Sequence, residues 1–268
     1  MFSGALGASL MSGGFEAEAA KLFARFTTAP TGARKTLINN LIRSLKQAGI
    51  WSKLDAFYVM AAADAQAAQR NWIADAYNLT PTNSPTFTAD QGYQGNGTSS
   101  YLATGFTPSS APSPKLVQNS ASLGVWSRTN IAENAVDIGA KGSNPGTQDS
   151  TIMIRNSSNQ FLNRLNIIAG GGYSPANASS VGLFVAVRPD ASNLIDYVNG
   201  AVIGTGAVAS AVVATIEFNI GVRNDNGTFN AYSTKQYAAA LIGSSLSAAE
   251  NSALYAALNT YLTAVGAA

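Results

Sequence analysis

The chain has 268 residues, no cysteine, no histidine, charged side chains at only 11% of positions and a formal net charge of +2. Without thiol or imidazole it has no Cys or His nucleophile, no Ser-His-Asp triad, no thiolate or imidazole zinc site and no disulfide framework. An apolar fraction of 46% is enough for a sizeable core and excludes a disordered chain.

Residues 1–14 are small, apolar and glycine-rich, and lack the basic stretch that opens a secretory signal. They read as a flexible anchor in which Phe2, Leu6, Leu10 and, just beyond, Phe15 supply the apolar contacts. Residues 15–78 read as a helical region. Phe15, Ala19, Leu22, Phe23 and Phe26 share one helical face, and Leu37, Ile38, Leu41, Ile42 and Leu45 share the next. Pro30 closes the first helix, Thr31 caps the second, and Gly49 stands where a left-handed C-terminal residue belongs. A third helical stretch is expected from Ile50 to about Ala68, with Trp51, Leu54 and Tyr58 on one face.

Up to residue 70 the chain carries eight Lys/Arg against four Asp/Glu, and beyond it eight against ten. Arg34, Lys35, Arg43 and Lys46 fit the wet side of an amphipathic helix, and a nucleic-acid stripe would be denser. No window has the roughly twenty apolar residues of a membrane span.

Composition changes at Leu79, where Thr80-Pro81-Thr82-Asn83-Ser84-Pro85 marks a boundary, and residues 79–268 read as an antiparallel β-sandwich with a C-terminal helix. Alternating runs at Leu123–Arg128, Ser150–Arg155, Gly182–Arg188, Leu194–Val198 and Thr215–Val222 are the expected strands, and Ala207–Ala214 reads as a buried strand or strand end. Asn199-Gly200, between Asp196-Tyr197-Val198 and Ala201-Val202-Ile203, is a two-residue hairpin turn, because both residues tolerate positive φ. Ser247-Ala248-Ala249-Glu250 opens the last helix with a capping box. The fold class is therefore α+β.

Three segments in order resemble the concanavalin A-like (laminin-G-like) sandwiches: Gly92-Tyr93-Gln94-Gly95-Asn96-Gly97-Thr98-Ser99-Ser100-Tyr101-Leu102, then Tyr197-Val198-Asn199-Gly200, then Ile242-Gly243-Ser244-Ser245-Leu246-Ser247-Ala248-Ala249-Glu250 leading to Leu254-Tyr255. The resemblance implies a jelly roll whose usual business is binding and display. Leu37 to Trp72, with its Ala48-Gly49-Ile50-Trp51 run and the Pro-rich joint that follows, resembles the N-terminal region of bacteriophage virion proteins that carry such a sandwich. That resemblance implies a non-enzymatic particle component, in the tail or on the capsid. It would be assembled in the host cytoplasm with other virion proteins, and a symmetric homo-oligomer, a trimer, is the expected state. A stand-alone carbohydrate-binding adhesin and a glycoside hydrolase are the alternatives.

Hydrolysis needs two suitably spaced carboxylates. Glu217-Phe218-Asn219-Ile220 offers one acid and then an amide, so no catalytic residue is assigned. Calcium would draw on Asp137, Asp149, Asn144 or Asp190. No dense Asp-x-Asp loop is present, turn roles are expected for these residues, and neither a metal nor a cofactor is assigned. A host glycan would stack on an exposed aromatic flanked by amides. Tyr173, in its Gly170-Gly171-Gly172 loop, with Trp126, Tyr93 and Tyr101, are the candidates. Alternation leaves open which face of its strand Trp126 occupies.

Overall fold

The computed structural model describes residues 14–142 and 148–268. In chain order the elements are helices α1 (Ala17–Phe23) and α2 (Gly32–Gln47), a single helical turn at Trp51–Lys53, β1 (Leu54–Val59) and α3 (Ala65–Ala68). Then come β2 (Thr80–Thr82), β3 (Thr86–Thr88), β4 (Gly92–Gln94), β5 (Tyr101–Ala103), β6 (Ala121–Ser127), β7 (Ile138–Lys141), β8 (Gln148–Met153), β9 (Leu162–Asn163) and β10 (Ile167–Ile168). The chain closes with β11 (Gly182–Arg188), β12 (Asn193–Val198), β13 (Ala201–Ala207), β14 (Asn219–Ile220), β15 (Arg223–Asp225), β16 (Thr228–Asn230), β17 (Gln236–Gly243) and α4 (Ala248–Val265).

The strands form two sheets. The first runs β13-β12-β11-β6-β17, and the far edge of β17 is shared by β4, which pairs with β3, and by β1. The second runs β10-β8-β7-β14-β5-β2, with β9 on β8 and the β15–β16 hairpin joined to β7. Among the described residues only the β15–β7 pairing is parallel.

One core lies between the sheets, where Leu123, Val125, Phe184, Ala186, Ala240 and Ile242 of the first meet Leu102, Ile138, Ala140, Ile152, Phe218 and Ile220 from the second. The residues that alternate with these on the first sheet, Trp126, Leu183, Val185, Val187, Ala239 and Leu241, form a second core with Ile38, Leu41, Leu45, Leu254, Leu258 and Leu262 of α2 and α4. The molecule is thus three layers deep, helices on sheet on sheet, and the first sheet is apolar on both faces. Each fully buried Leu in the helical layer contributes about 1.5–3 kcal/mol of transfer free energy.

Local signals set the element ends. The Thr31 hydroxyl accepts the Arg34 N–H, and Gly49 at φ 72° ends α2. The reciprocal Ser247–Glu250 box opens α4, and left-handed Gly266 closes it. Asn199 and Gly200 at φ 50° and 80° make the hairpin that joins β12 to β13.

The third helix expected from Ile50 to Ala68 is not formed. After one turn, Leu54–Val59 pairs along β17 as β1, sending Phe57 and Val59 to the helical layer and Ala56 and Tyr58 to the inter-sheet core. A strand apolar on both faces has no period of two, so its sequence imitates a helix. Beyond the turn at Trp51–Lys53, only Ala65–Ala68, capped by Asp64, is helical there. Residues 15–78 therefore contribute a strand to the first sheet as well as helices. Of Thr215–Val222 only Asn219–Ile220 is strand, and β13 ends at Ala207 with Ala211 and Ala214 buried in the coil beyond.

Candidate functional site

Helices cover the outer face of the first sheet; on the outer face of the second, Gly139, Thr151, Met153 and Asn219 are buried, and only Tyr101, Lys141 and Glu217 reach solvent in part. The residues alternating with its inward Leu102, Ile138, Ala140, Ile152, Phe218 and Ile220 are Tyr101, Gly139, Lys141, Thr151, Met153, Glu217 and Asn219. This face is polar, with one aromatic strand end.

The β15–β16 hairpin builds the aromatic part. Its Asn226-Gly227 turn takes φ of 51° and 89°, and the Asn224 side-chain oxygen accepts the Gly227 N–H at 2.8 Å. Arg223 Nε donates to Asn230 Oδ1 across the strands at 2.8 Å. So fixed, the hairpin lays Phe229 on Tyr101, with ring centroids 4.8 Å apart and planes 20° from parallel. Tyr232 adds a third ring 6.5 Å from Tyr101. All three rings are partly exposed, and burial beside Tyr101 pushes the Tyr232 hydroxyl up from its ordinary pKa.

Amides and charges continue the face. The side-chain nitrogens of Asn219 and Asn224 both donate to the Glu217 carbonyl at 3.3 Å, and the buried Asn219 Oδ1 has no protein partner. Lys141 and Arg223 hold Asp225 at 3.1 and 3.5 Å, while Arg164 lies 3.9 Å from Asp149. The Glu217 carboxylate accepts the Gly105 N–H at 2.7 Å. Its neighbour on the same strand face is the Asn219 amide, so the strand brings no second carboxylate alongside it.

Of the four aromatic residues expected at a ligand site, the structure puts only Tyr101 in this cluster. Trp126 is 3% exposed and stacks on Tyr255 of α4 at 5.8 Å, because the helical layer covers the face its strand presents. Tyr93 is equally buried, its hydroxyl accepting from Gln69 at 2.9 Å and its ring against Phe87. Tyr173 is not a free platform: its ring packs over Gly204 and Gly206 of β13, and a Cβ at either glycine would collide with it. Phe229 and Tyr232 stand outside the four aromatic residues that the sequence points to. The signal that locates them is the Asn226-Gly227 turn, whose second strand begins at Thr228 and carries Phe229.

Phe2, Leu6 and Leu10 of the expected anchor, and Asn144 of the calcium set, lie outside the described residues. Phe15 is 47% exposed and packs edge-on against Phe23. Asp190 ties its own turn, accepting the Ser192 and Asn193 N–H groups, and hydrogen bonds from the Asn193 amide with those N–H groups lower its pKa. Asp149 is buried and accepts the Thr151 hydroxyl. Asp137 is buried with both oxygens engaged by Tyr237 and the Ile154 N–H. No group of three or more acidic side chains among the described residues could hold a metal, and no described helix is long and apolar enough to cross a membrane. The basic residues of α2 are engaged too: Arg34 with Asp90 and Tyr261, Lys35 over the Phe23 ring, Arg43 with Glu16, and Lys46 with Glu16 and Glu18.

No protein-family model matches the sequence, and no curated protein matches it. Among solved structures, the binding domain of botulinum neurotoxin serotype D is 9% identical over 78% of this chain and 52% of its own, with a TM-score of 0.54. Trypanosoma rangeli sialidase in complex with 2,3-difluoro-KDN is 10% identical over 85% of this chain and 40% of the sialidase, with a TM-score of 0.53. The same sialidase in complex with sialic acid is 11% identical over 84% and 39%, with a TM-score of 0.50. This chain spans about two fifths of the sialidase and half of the neurotoxin domain. The likeness is one of fold, a concanavalin A-like lectin and glucanase-type sandwich.

Proposed function

We propose that this protein is a non-catalytic, lectin-type recognition module of a bacteriophage particle, and that its ligand is a host surface glycan. The Tyr101–Phe229–Tyr232 cluster carries this reading. It is a partly exposed aromatic surface, flanked by the exposed Asn226, the half-buried Asn230 and the charged Lys141, Arg223 and Asp225, on the side of the molecule away from the helices. Aromatic faces take the apolar side of a sugar ring, and amides take its hydroxyls. Loss of one ring contact worth about 0.5–1.5 kcal/mol weakens binding up to roughly tenfold. Phe229→Ala and Tyr101→Ala should each do this on a glycan array while leaving the thermal transition cooperative. Unchanged binding in both variants would remove the site.

The particle assignment rests on the sequence resemblance of residues 37–72 and on the apolar composition of residues 1–14. Assembly takes place in the host cytoplasm and the mature location is the virion, tail or capsid surface, with the chain self-associated as a trimer. Deleting residues 1–14 should abolish incorporation into particles and preserve glycan binding. Full incorporation of the shortened chain would leave the stand-alone adhesin as the better reading. The absence of a second carboxylate beside Glu217 supports binding without cleavage. Release of sugar from bacterial polysaccharide that is lost in Glu217→Gln would overturn it.

A further inference from the structure

Between the two sheets, at the start of β17, lies a cluster of side chains that glycan recognition does not use. Lys235 and Asp137 are both fully buried. Lys235 Nζ stands 3.0 Å from Glu133 Oε1 and 3.3 Å from Asp137 Oδ1. The Tyr237 hydroxyl is 2.7 Å from Asp137 Oδ1 and 2.8 Å from Ser233 Oγ, and Ser233 Oγ is 2.7 Å from Glu133 Oε1. The Ile154 N–H donates to Asp137 Oδ2 at 2.7 Å.

Counting protons along this chain locates one more. The oxygen-to-oxygen contacts Asp137–Tyr237, Tyr237–Ser233 and Ser233–Glu133 need three protons, and the two hydroxyls supply two. Glu133 already accepts from the Thr234 N–H, the Thr234 hydroxyl and Lys235, so it is the ionised carboxylate. The third proton belongs to Asp137, which then donates to Tyr237, Tyr237 to Ser233, and Ser233 to Glu133. Burial, acting on a fully enclosed carboxyl, pushes Asp137 in the same direction.

We propose that Lys235 and Asp137 condense within the folded protein to an intramolecular amide, with Glu133 as the base. The groups a condensation needs are in place: an amine, a neutral carboxylic acid and a proton acceptor, held together out of water. Glu133 takes a proton from the ammonium, and the freed amine attacks Asp137 Cγ, one bond behind the oxygen it already touches. The Ile154 N–H stabilises the charge developing on Oδ2. Oδ1 leaves as hydroxide, taking up the second amine proton to depart as water, and the proton taken by Glu133 remains there until it exchanges with solvent. The C–O bond broken and the C–N bond formed balance without oxidant or cofactor. Fixed neighbours of this kind react with effective molarities of about 10⁵–10⁸ M, and exclusion of water from the site opposes the reverse hydrolysis. The product would staple the residue preceding β17 of the first sheet to the residue preceding β7 of the second.

Intact-mass measurement of the purified full chain tests this directly, because the readout does not depend on stability. The expected mass is that of the sequence less one water, with tandem mass spectrometry placing the loss on a peptide pair joined through Lys235 and Asp137. Lys235→Arg and Glu133→Gln should both restore the full mass, and circular dichroism on each reports whether the sandwich remains. The unmodified mass in the parent chain after prolonged incubation in the folded state would overturn the proposal. So would a loss of water that persists in Lys235→Arg.

Discussion

Asp196 gives the sharpest test of the energetics. On β12 it shares a face with Leu194 and Val198, which point into the inter-sheet core, and it is fully buried. Asn163 donates to Oδ1 at 2.6 Å, and Oδ2 has no partner. Burial with no compensating cation pushes this carboxyl well above the usual carboxylate range. An unfolded aspartate titrates near pH 3.9, so above that pH the unfolded chain has released a proton that the folded chain still holds. The contribution to stability is full below the unfolded value. It falls by about 1.4 kcal/mol for each pH unit until the folded group itself ionises. Asp196→Asn keeps the shape and the Asn163 contact but cannot ionise. The variant should match the parent within about 0.5 kcal/mol near pH 4. By pH 7 it should exceed it by at least about 1.4 kcal/mol, which is roughly 3–6 °C in Tm for a domain of this size. Urea titrations at pH 4, 5.5 and 7 measure the difference, in which the contributions of other carboxylates cancel. A variant destabilised by the same amount at every pH would show that the carboxylate is ionised and accommodated, refuting the burial argument.

Two further outcomes follow from packing and capping. Gly206→Ala places a Cβ into the Tyr173 ring and should cost about 1–3 kcal/mol by displacing it. In a Tyr173→Ala background the same change should be close to neutral, and a double-mutant cycle in urea without coupling would mean the ring does not rest there. Ser247→Ala removes one half of the box that opens α4 and should cost about 1 kcal/mol in urea unfolding. No loss would mean that packing on α2 alone holds that end of the helix.

What could be read from the residues was what local chemistry decides. Thr31, Gly49, Asn199-Gly200 and the Ser247 box act within a few residues, and each stands in the fold as expected. Strand β1 could not be read this way, because Phe57 and Val59 face helices while Ala56 and Tyr58 face the other sheet. The period that identifies a strand cancels when both sides are apolar. Trp126 was ambiguous for the same reason: both faces of its sheet are interior, so neither choice exposes it. The candidate site was half visible. Tyr101 stands out as an aromatic beyond a turn, but its partner Phe229 lies more than a hundred residues on, and it is the pairing of β14 with β5 that brings the hairpin after β14 beside Tyr101.

The unequal treatment of the two sheets is what links fold to function. A lone sandwich has two outer faces of similar standing, and composition cannot say which one meets a partner. Here helices from both ends of the chain bury one face: α2 with α4 covers the first sheet, and β1 extends it. The residues before position 79 also carry Phe15, exposed at the head of α1, so the N-terminal segment joins the molecule at the helical layer. The aromatic and amide surface belongs to the outer side of the second sheet, with that sheet and the first between it and the helices. A chain held through its N-terminal residues would therefore present Tyr101, Phe229 and Tyr232 away from its support. If the proposed attachment and recognition hold, the layer order alone keeps them apart, with no hinge or linker needed.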